Sequence, residues 1–192
     1  IKILYLKADF IYTNSGGAFN DLKDNFGLNI NKMKILPNAI NTALIQEKMD
    51  EKISLNEPFI LSVGRLDSGK NHALLIKSYA RLKKENKNTP NLVIIGEGKL
   101  RNSLQKQINE LNLEKSVLLL GFRKNPYAYM AKCEIFVFVS RFEGFSNALI
   151  EALACKKCVI SSEHKSGARE LLGDNDFGIL VAVDDEIATF KA

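Results

Sequence analysis

The chain has 192 residues, 46% of them apolar, which suits one large domain or parts of two with a sizeable core. No window approaches 18 uninterrupted apolar residues, and residues 1–8 lack the long apolar core and cleavage site of a signal peptide, so neither a membrane-spanning helix nor a leader is expected. The formal charge of +5 comes largely from scattered lysines such as Lys83, Lys84, Lys156 and Lys157. It reads as a solvated surface, with attraction to anionic substrates or a membrane surface as the functional alternative, and no basic stretch interleaved with aromatics points to nucleic acid.

In chain order, residues 1–8 fit a strand or a helix end, and Asp9 to Thr13 a short strand. Asn14 or Ser15 then opens an amphipathic helix to about Phe26, closed by Gly27. Lys34 to Leu36 is a short strand ended by Pro37-Asn38, and residues 42–57 form a polar connection with weak helical signals. A repeated β-then-α pattern follows. Strands are expected at Pro58–Gly64, Asn91–Gly96, Ser116–Leu120, Ile135–Val139, Lys157–Ser161 and Gly178–Val181. Helices are expected at Asn71–Glu85, Lys99–Leu111, Asn125–Ala131, Asn147–Ala154 and Gly167–Leu172, before a short tail after Asp185. This alternation predicts an α/β fold with a doubly wound parallel sheet, whose ligands bind beyond the carboxyl ends of the strands.

The densest chemistry lies between Ser140 and Cys155. The apolar strand Ile135–Val139 leads into a turn with Gly144, then a helix with Ser146 as its cap candidate. The N–H groups of Asn147, Ala148 and Leu149 would lack intrahelical partners, and the helix dipole adds positive character, so an anion is favoured there. Glu143 and Glu151 bracket the turn, eight residues apart. The Glu151 side chain leans back toward the anion site, where a carboxylate suits a ribose or sugar diol beside a phosphate. Two solvated surface glutamates fit the spacing equally well.

A second signal is Val63-Gly64-Arg65-Leu66 with Lys70. Gly64 permits close backbone approach, Arg65 offers a planar fork to phosphate oxygens, and Lys70 a point charge. Lys70 also sits near a helix start, where a cation is disfavoured unless an anion binds, with an exposed lysine in a polar turn as the lesser alternative. Gly96-Glu97-Gly98 lacks the third glycine of a dinucleotide fingerprint, since position 101 is Arg, and a plain tight turn is as good a reading.

The remaining candidates read as structure. Cys155 and Cys158 lie at a helix end without a second pair, which favours packed, reduced thiols over a zinc or redox site. Tyr127 and Tyr129 read as packing residues, Asp174-Asn175-Asp176 as a turn, Glu170 as a cap of its own helix, and His72 and His164 as surface residues.

The run Glu143-Gly144-Phe145-Ser146-Asn147 through Glu151-Ala152 resembles the E-x7-E motif of retaining, nucleotide-sugar-dependent glycosyltransferases, the glycosyl transferases group 1 family with the GT-B fold. Val159-Ile160-Ser161, Ser166-Gly167-Ala168-Arg169-Glu170 and Pro37-Asn38 are similar to further segments of that family, though Ala39 and Asn41 replace the Gly and Asp of its I-P-N-G-V-D segment. The resemblance spans most of Asp9 to Val183. It implies that residues 1–8 are the tail of a helix and residues 1–50 the end of an N-terminal acceptor domain with its hinge. Residues 51–192 would be the Rossmann-like donor domain, most of the first domain would be missing, and the C-terminus would be cut short.

It further implies that Arg65 and Lys70 bind the donor diphosphate and stabilise the leaving phosphate, and that Glu143 contacts the donor sugar or its leaving oxygen. Glu151 would hold the ribose. Gly64, Gly96, Gly144, Phe145, Ser146, Asn147 and Ala148 would line the nucleotide cleft, and Phe122 and Arg123 would meet the base. The implied reaction is retaining transfer of a hexose or N-acetylhexosamine from a nucleotide sugar, UDP for preference, to a glycan or lipid-linked acceptor in bacterial surface-polysaccharide assembly. No metal and no cofactor are expected. The implied location is the cytoplasm, with peripheral association at the inner membrane face, and the chain alone is expected to bind donor without normal turnover. A sugar-nucleotide epimerase of the same fold and an isolated nucleotide-binding module are the alternatives; a dehydrogenase fits poorly.

Overall fold

The computed structural model describes residues 2–192. A small unit comes first: α1 (Lys2–Lys7), β1 (Ile11–Thr13), α2 (Gly16–Phe26), a 3-10 turn (Ile30–Lys32) and β2 (Met33–Ile35). The two strands pair in parallel, over a cluster of buried Ile11, Leu28 and Met33 with Phe19, Leu22 and Phe26 against it. Ser15 starts α2 by accepting a hydrogen bond from the Ala18 N–H at 3.1 Å, and Gly27 ends it, as the sequence predicts. The connection is more ordered than its composition suggests. Asn41 caps α3 (Thr42–Met49), which buries Ile45.

The larger unit is a six-stranded sheet of β3 (Phe59–Val63), β4 (Asn91–Ile95), β5 (Val117–Gly121), β6 (Ile135–Phe138), β7 (Cys158–Ser162) and β8 (Ile179–Val181). Its order is β5-β4-β3-β6-β7-β8 and every pairing is parallel. Between the strands run α4 (His72–Glu85), α5 (Arg101–Glu110), α6 (Tyr127–Lys132), α7 (Asn147–Ala154) and α8 (Ala168–Leu172). The tail after Asp185 forms α9 (Glu186–Lys191), which the sequence reading left unassigned and which Asp185 caps through the Ala188 N–H at 2.8 Å.

Both faces of the sheet are buried. Leu61, Val93, Phe136 and Phe138 pack with α3, α6 and α7, whereas Ile60, Leu92, Ile94 and Val137 pack with α4 and α5. Alternate strand residues therefore serve opposite cores, which is why these strands read as continuous apolar runs. The doubly wound parallel sheet expected from the sequence is what forms, and its order reverses between β3 and β6. The loops leaving those two strands open a crevice there.

Gly96 closes one wall of that crevice. At φ +147° it occupies a region that L side chains rarely adopt, and a Cβ would stand 1.9 Å from the Gly64 carbonyl oxygen. A Gly96→Ala variant is expected to lose stability by more than the ~1–3 kcal/mol of backbone strain alone, read as a lower midpoint in urea unfolding. An unchanged midpoint would mean that the two loops do not meet this closely.

Candidate functional site

The loop after β3 is built around Asp67. Its Oδ1 accepts hydrogen bonds from the N–H groups of Gly69 at 3.0 Å and Lys70 at 3.1 Å, and so curls the chain back. Asn71, at φ 56°, then donates its side-chain amide to Asp184 at 2.8 Å, and α4 begins at His72. The Lys70 stem is thereby laid over Gly64, with its Nζ 5.0 Å from the Phe138 ring centroid and ion-paired with Glu143. The Lys70 side chain is only 18% exposed, so the simple solvated-turn reading fails. Arg65 is 82% exposed and among the described residues reaches only Asp67, at 3.5 Å, which leaves its fork open to a ligand.

The loop after β6 is laced to the first. The Arg141 N–H donates to the Gly69 carbonyl at 2.8 Å, its Nη1 to the Ser68 carbonyl at 2.9 Å, and its Nε to Asp184 at 2.8 Å. Glu143 is thus brought against Lys70. Gly144 abuts the Asn14 side chain, and Phe145 packs on Gly167, where φ is +87° and a Cβ would stand 3.1 Å from the ring. Asn147 accepts from the Asn38 side chain at 2.7 Å, so the Pro37-Asn38 segment meets the start of α7.

The sequence reading of that helix start needs two corrections. Ser146 occupies the cap position, but its hydroxyl makes no cap bond; it lies 3.3 Å from the His164 Nε2. The Leu149 N–H is not free either, since it turns back to the Ser146 carbonyl at 3.1 Å in a 3-10-type bond. The N–H groups of Asn147 and Ala148 have no partner among the described residues.

Glu151 is half-buried, and its Oε1 accepts the Tyr127 hydroxyl at 3.2 Å. Burial raises its pKa above the usual carboxylate value, against the opposing effect of that hydrogen bond. The two motif glutamates are therefore unlike: one is neutralised by a lysine, the other is desolvated beside a phenol. Two pockets share Arg65. One, of about 420 Å³, is lined by Lys70, Phe142, Glu143 and Gly144; the other, of about 300 Å³, by Gly64, Gly96, Phe122, Arg123 and Pro126. The Phe122 side chain, 71% exposed, stands at the rim of the second.

Several residues read as structural do more, or lie elsewhere. Tyr127 packs against the core as expected and in addition donates its hydroxyl to Glu151. His72 and His164 are both buried, against the surface reading. Burial first, and the Lys70 charge second, push the His72 imidazole down to about 4. Glu170 does not cap its own helix; its carboxylate accepts from Gly16 at 3.1 Å and Gly17 at 3.3 Å, so it caps α2. Asp174 pairs with Arg169, and the Asn175 side chain accepts from the Leu180 N–H at 2.7 Å, which makes this segment the expected turn. Cys133 and Cys155 are buried thiols, pushed up to about 12 and about 11 chiefly by burial, whereas Cys158 is exposed. One signal could have found His164: it lies two residues beyond β7, on the sheet edge where every other motif falls.

The family model for glycosyl transferases group 1 matches residues 45–192. The N-acetylgalactosamine-N,N'-diacetylbacillosaminyl-diphospho-undecaprenol 4-alpha-N-acetylgalactosaminyltransferase of Campylobacter jejuni is 58% identical over 100% of this chain and 51% of its own length. A second Campylobacter jejuni protein, an alpha-1,4-N-acetyl-D-galactosaminyltransferase, is 38% identical over 70% of this chain and 37% of its own. The chain thus spans about half the length or less of these curated relatives. Among solved structures, a glycosyltransferase from Rickettsia africae superposes with a TM-score of 0.85 at 20% identity, over 99% of this chain and 54% of that one. Anabaena HepE in complex with UDP gives 0.82 at 22%, over 96% and 52%.

Because the folded-state pKa of Glu151 is raised, its contribution to stability is present below the unfolded value near 4.5 and is lost as pH rises through the folded one. At neutral pH the ionised carboxylate therefore works against the fold. A Glu151→Gln variant is expected to melt at or above the wild-type temperature at pH 7, and the gap should close toward pH 4. A variant that melts well below wild type at pH 7 would contradict this.

Proposed function

The chain belongs to the glycosyl transferases group 1 family, and on that premise we propose that it forms the donor-binding part of a retaining glycosyltransferase. The observation that carries the proposal is the meeting, at the carboxyl ends of β3 and β6, of Lys70, open Arg65 and the unpaired N–H groups of Asn147 and Ala148. These are the donors a diphosphate requires, and they are held before any ligand arrives. An incoming diphosphate competes with Glu143 for Lys70 and frees that carboxylate to face the donor sugar. Glu151 accepts the ribose hydroxyls, and the pocket bounded by Gly64, Gly96, Phe122 and Arg123 takes the base.

As the sugar–oxygen bond breaks, charge grows on the departing phosphate. Lys70, Arg65 and the α7 N-terminus lie where that charge develops, so the protein's own groups stabilise it and the proposal involves no metal or cofactor. Retention needs no close carboxylate pair of the glycosidase kind in this scheme. The relatives' names supply the finer reading: an N-acetylhexosamine donor, with UDP as in the HepE complex, and an acceptor glycan on an undecaprenol diphosphate. An α product from an α-linked nucleotide sugar is retention. No helix among the described residues is long and apolar enough to cross a membrane. In this proposal a lipid-linked acceptor is met at the inner membrane face, from the cytoplasmic side. Residues 1–50, with their own small core, are assigned to the acceptor domain and hinge, and residues 51–192 to the donor domain. A domain of that kind, added to this chain, would complete the acceptor site.

The test joins this chain to the part of the C. jejuni relative that it does not cover, and follows transfer from UDP-N-acetylgalactosamine to the lipid-linked acceptor. Lys70→Ala is expected to reduce kcat about 10²-fold or more, in line with loss of one charge-stabilising donor, while Tm moves by only a few degrees. Parallel loss of Tm and activity would assign Lys70 to the fold, and sugar conversion without acceptor would identify an epimerase.

A further inference from the structure

We propose that His164 is a positioning residue that makes the Ser146 hydroxyl a hydrogen-bond donor to the diphosphate of the bound nucleotide sugar; the proposal rests on the reading of the cleft above. Ser146 and His164 are 2% and 3% exposed, and their Oγ and Nε2 atoms are 3.3 Å apart. A neutral imidazole carries one N–H. Nδ1 has no hydrogen-bond partner; the Ser166 backbone lies near enough to favour a charged ring without meeting hydrogen-bond geometry. An orphaned buried N–H is rarer and costlier than a bare lone pair. On that balance the proton is assigned to Nε2, which donates it to the Ser146 Oγ.

With its oxygen engaged as acceptor, the serine has its own O–H to give, and no other protein partner takes it among the described residues. Ser146 precedes the free N–H groups of Asn147 and Ala148 at the head of α7, and in the proposal its hydroxyl joins them as a third donor to one anion. Had Ser146 capped the helix, its oxygen would have consumed a backbone N–H there and turned lone pairs toward the phosphate. The ring is held edge-on to Phe138, at 6.3 Å between centroids, and the same Phe138 ring lies under Lys70. Burial lowers the pKa of the imidazole; of the charges facing it, Glu143 opposes that shift and Lys70 adds to it. Either form is a donor at Nε2, so the orientation of the serine survives protonation.

The experiment measures affinity for UDP and for uridine, with melting temperature, in wild type, Ser146→Ala, His164→Leu, His164→Gln and the Ser146→Ala/His164→Leu double variant. Loss of one charge-assisted hydrogen bond predicts UDP binding about tenfold weaker in Ser146→Ala and in His164→Leu. The double variant should be no weaker than either single one. His164→Gln, whose side-chain amide can donate in place of Nε2–H, should stay within about threefold of wild type, and uridine binding should not change. Wild-type UDP affinity in His164→Leu or Ser146→Ala, or equal loss of UDP and uridine binding, overturns the inference alone. Gln as damaging as Leu does the same. If His164→Leu fails to fold, Ser146→Ala and His164→Gln still decide. A wild-type chain that binds no UDP overturns this inference and the proposed function together.

Discussion

Everything at the site depends on the parallel pairing of β3 with β6. Ile60 pairs with Ile135 and Leu61 with Phe136, so the two strands end together, while their helices leave toward opposite cores. The chain beyond Val63 and the chain beyond Phe138 are then neighbours that no helix separates. Arg141 and Asp184 bind those two loops to each other, and Lys70 and Glu143 face across the gap. A sheet with its order reversed elsewhere would carry the same residues apart.

The crevice is maintained against local preference. A lysine lies near the start of a helix, an imidazole is buried two residues from it, a carboxylate is desolvated, and two helix N–H groups are unpaired. The buried imidazole and the desolvated carboxylate are costs to the fold, and the apolar burial on both sheet faces offsets them. An anion with sugar hydroxyls beside it would suit the lysine and the N–H groups. Stable elements thus hold some groups, the N–H groups of Asn147 and Ala148 and the fork of Arg65, short of partners within the described residues, as a ligand-binding crevice would.

Much of this was legible in the residues. The β-then-α spacing predicted the sheet, the Ser15 and Gly27 signals bounded α2, and the turn around Gly144 marked the passage from β6 into α7. What was not legible came from contacts distant in sequence. Ser146 has the right type and position for a cap, yet a histidine eighteen residues on takes its hydroxyl. Tyr127 looks like any core aromatic until α6 brings its hydroxyl to Glu151. Glu170 satisfies every local rule for capping α8, but the N–H groups of Gly16 and Gly17 lie nearer to it. Local propensity names the groups available, and the fold chooses the partners.

The central claim is that the start of α7 receives the diphosphate of a nucleotide. The most direct measurement is an amide-resolved NMR titration of this chain with UDP and with uridine. The account predicts that the Asn147 and Ala148 N–H signals move strongly with UDP and little with uridine, while amides near Phe122 respond to both. If a folded chain binds UDP and those two amides stay still, the anion lies elsewhere and the account is wrong.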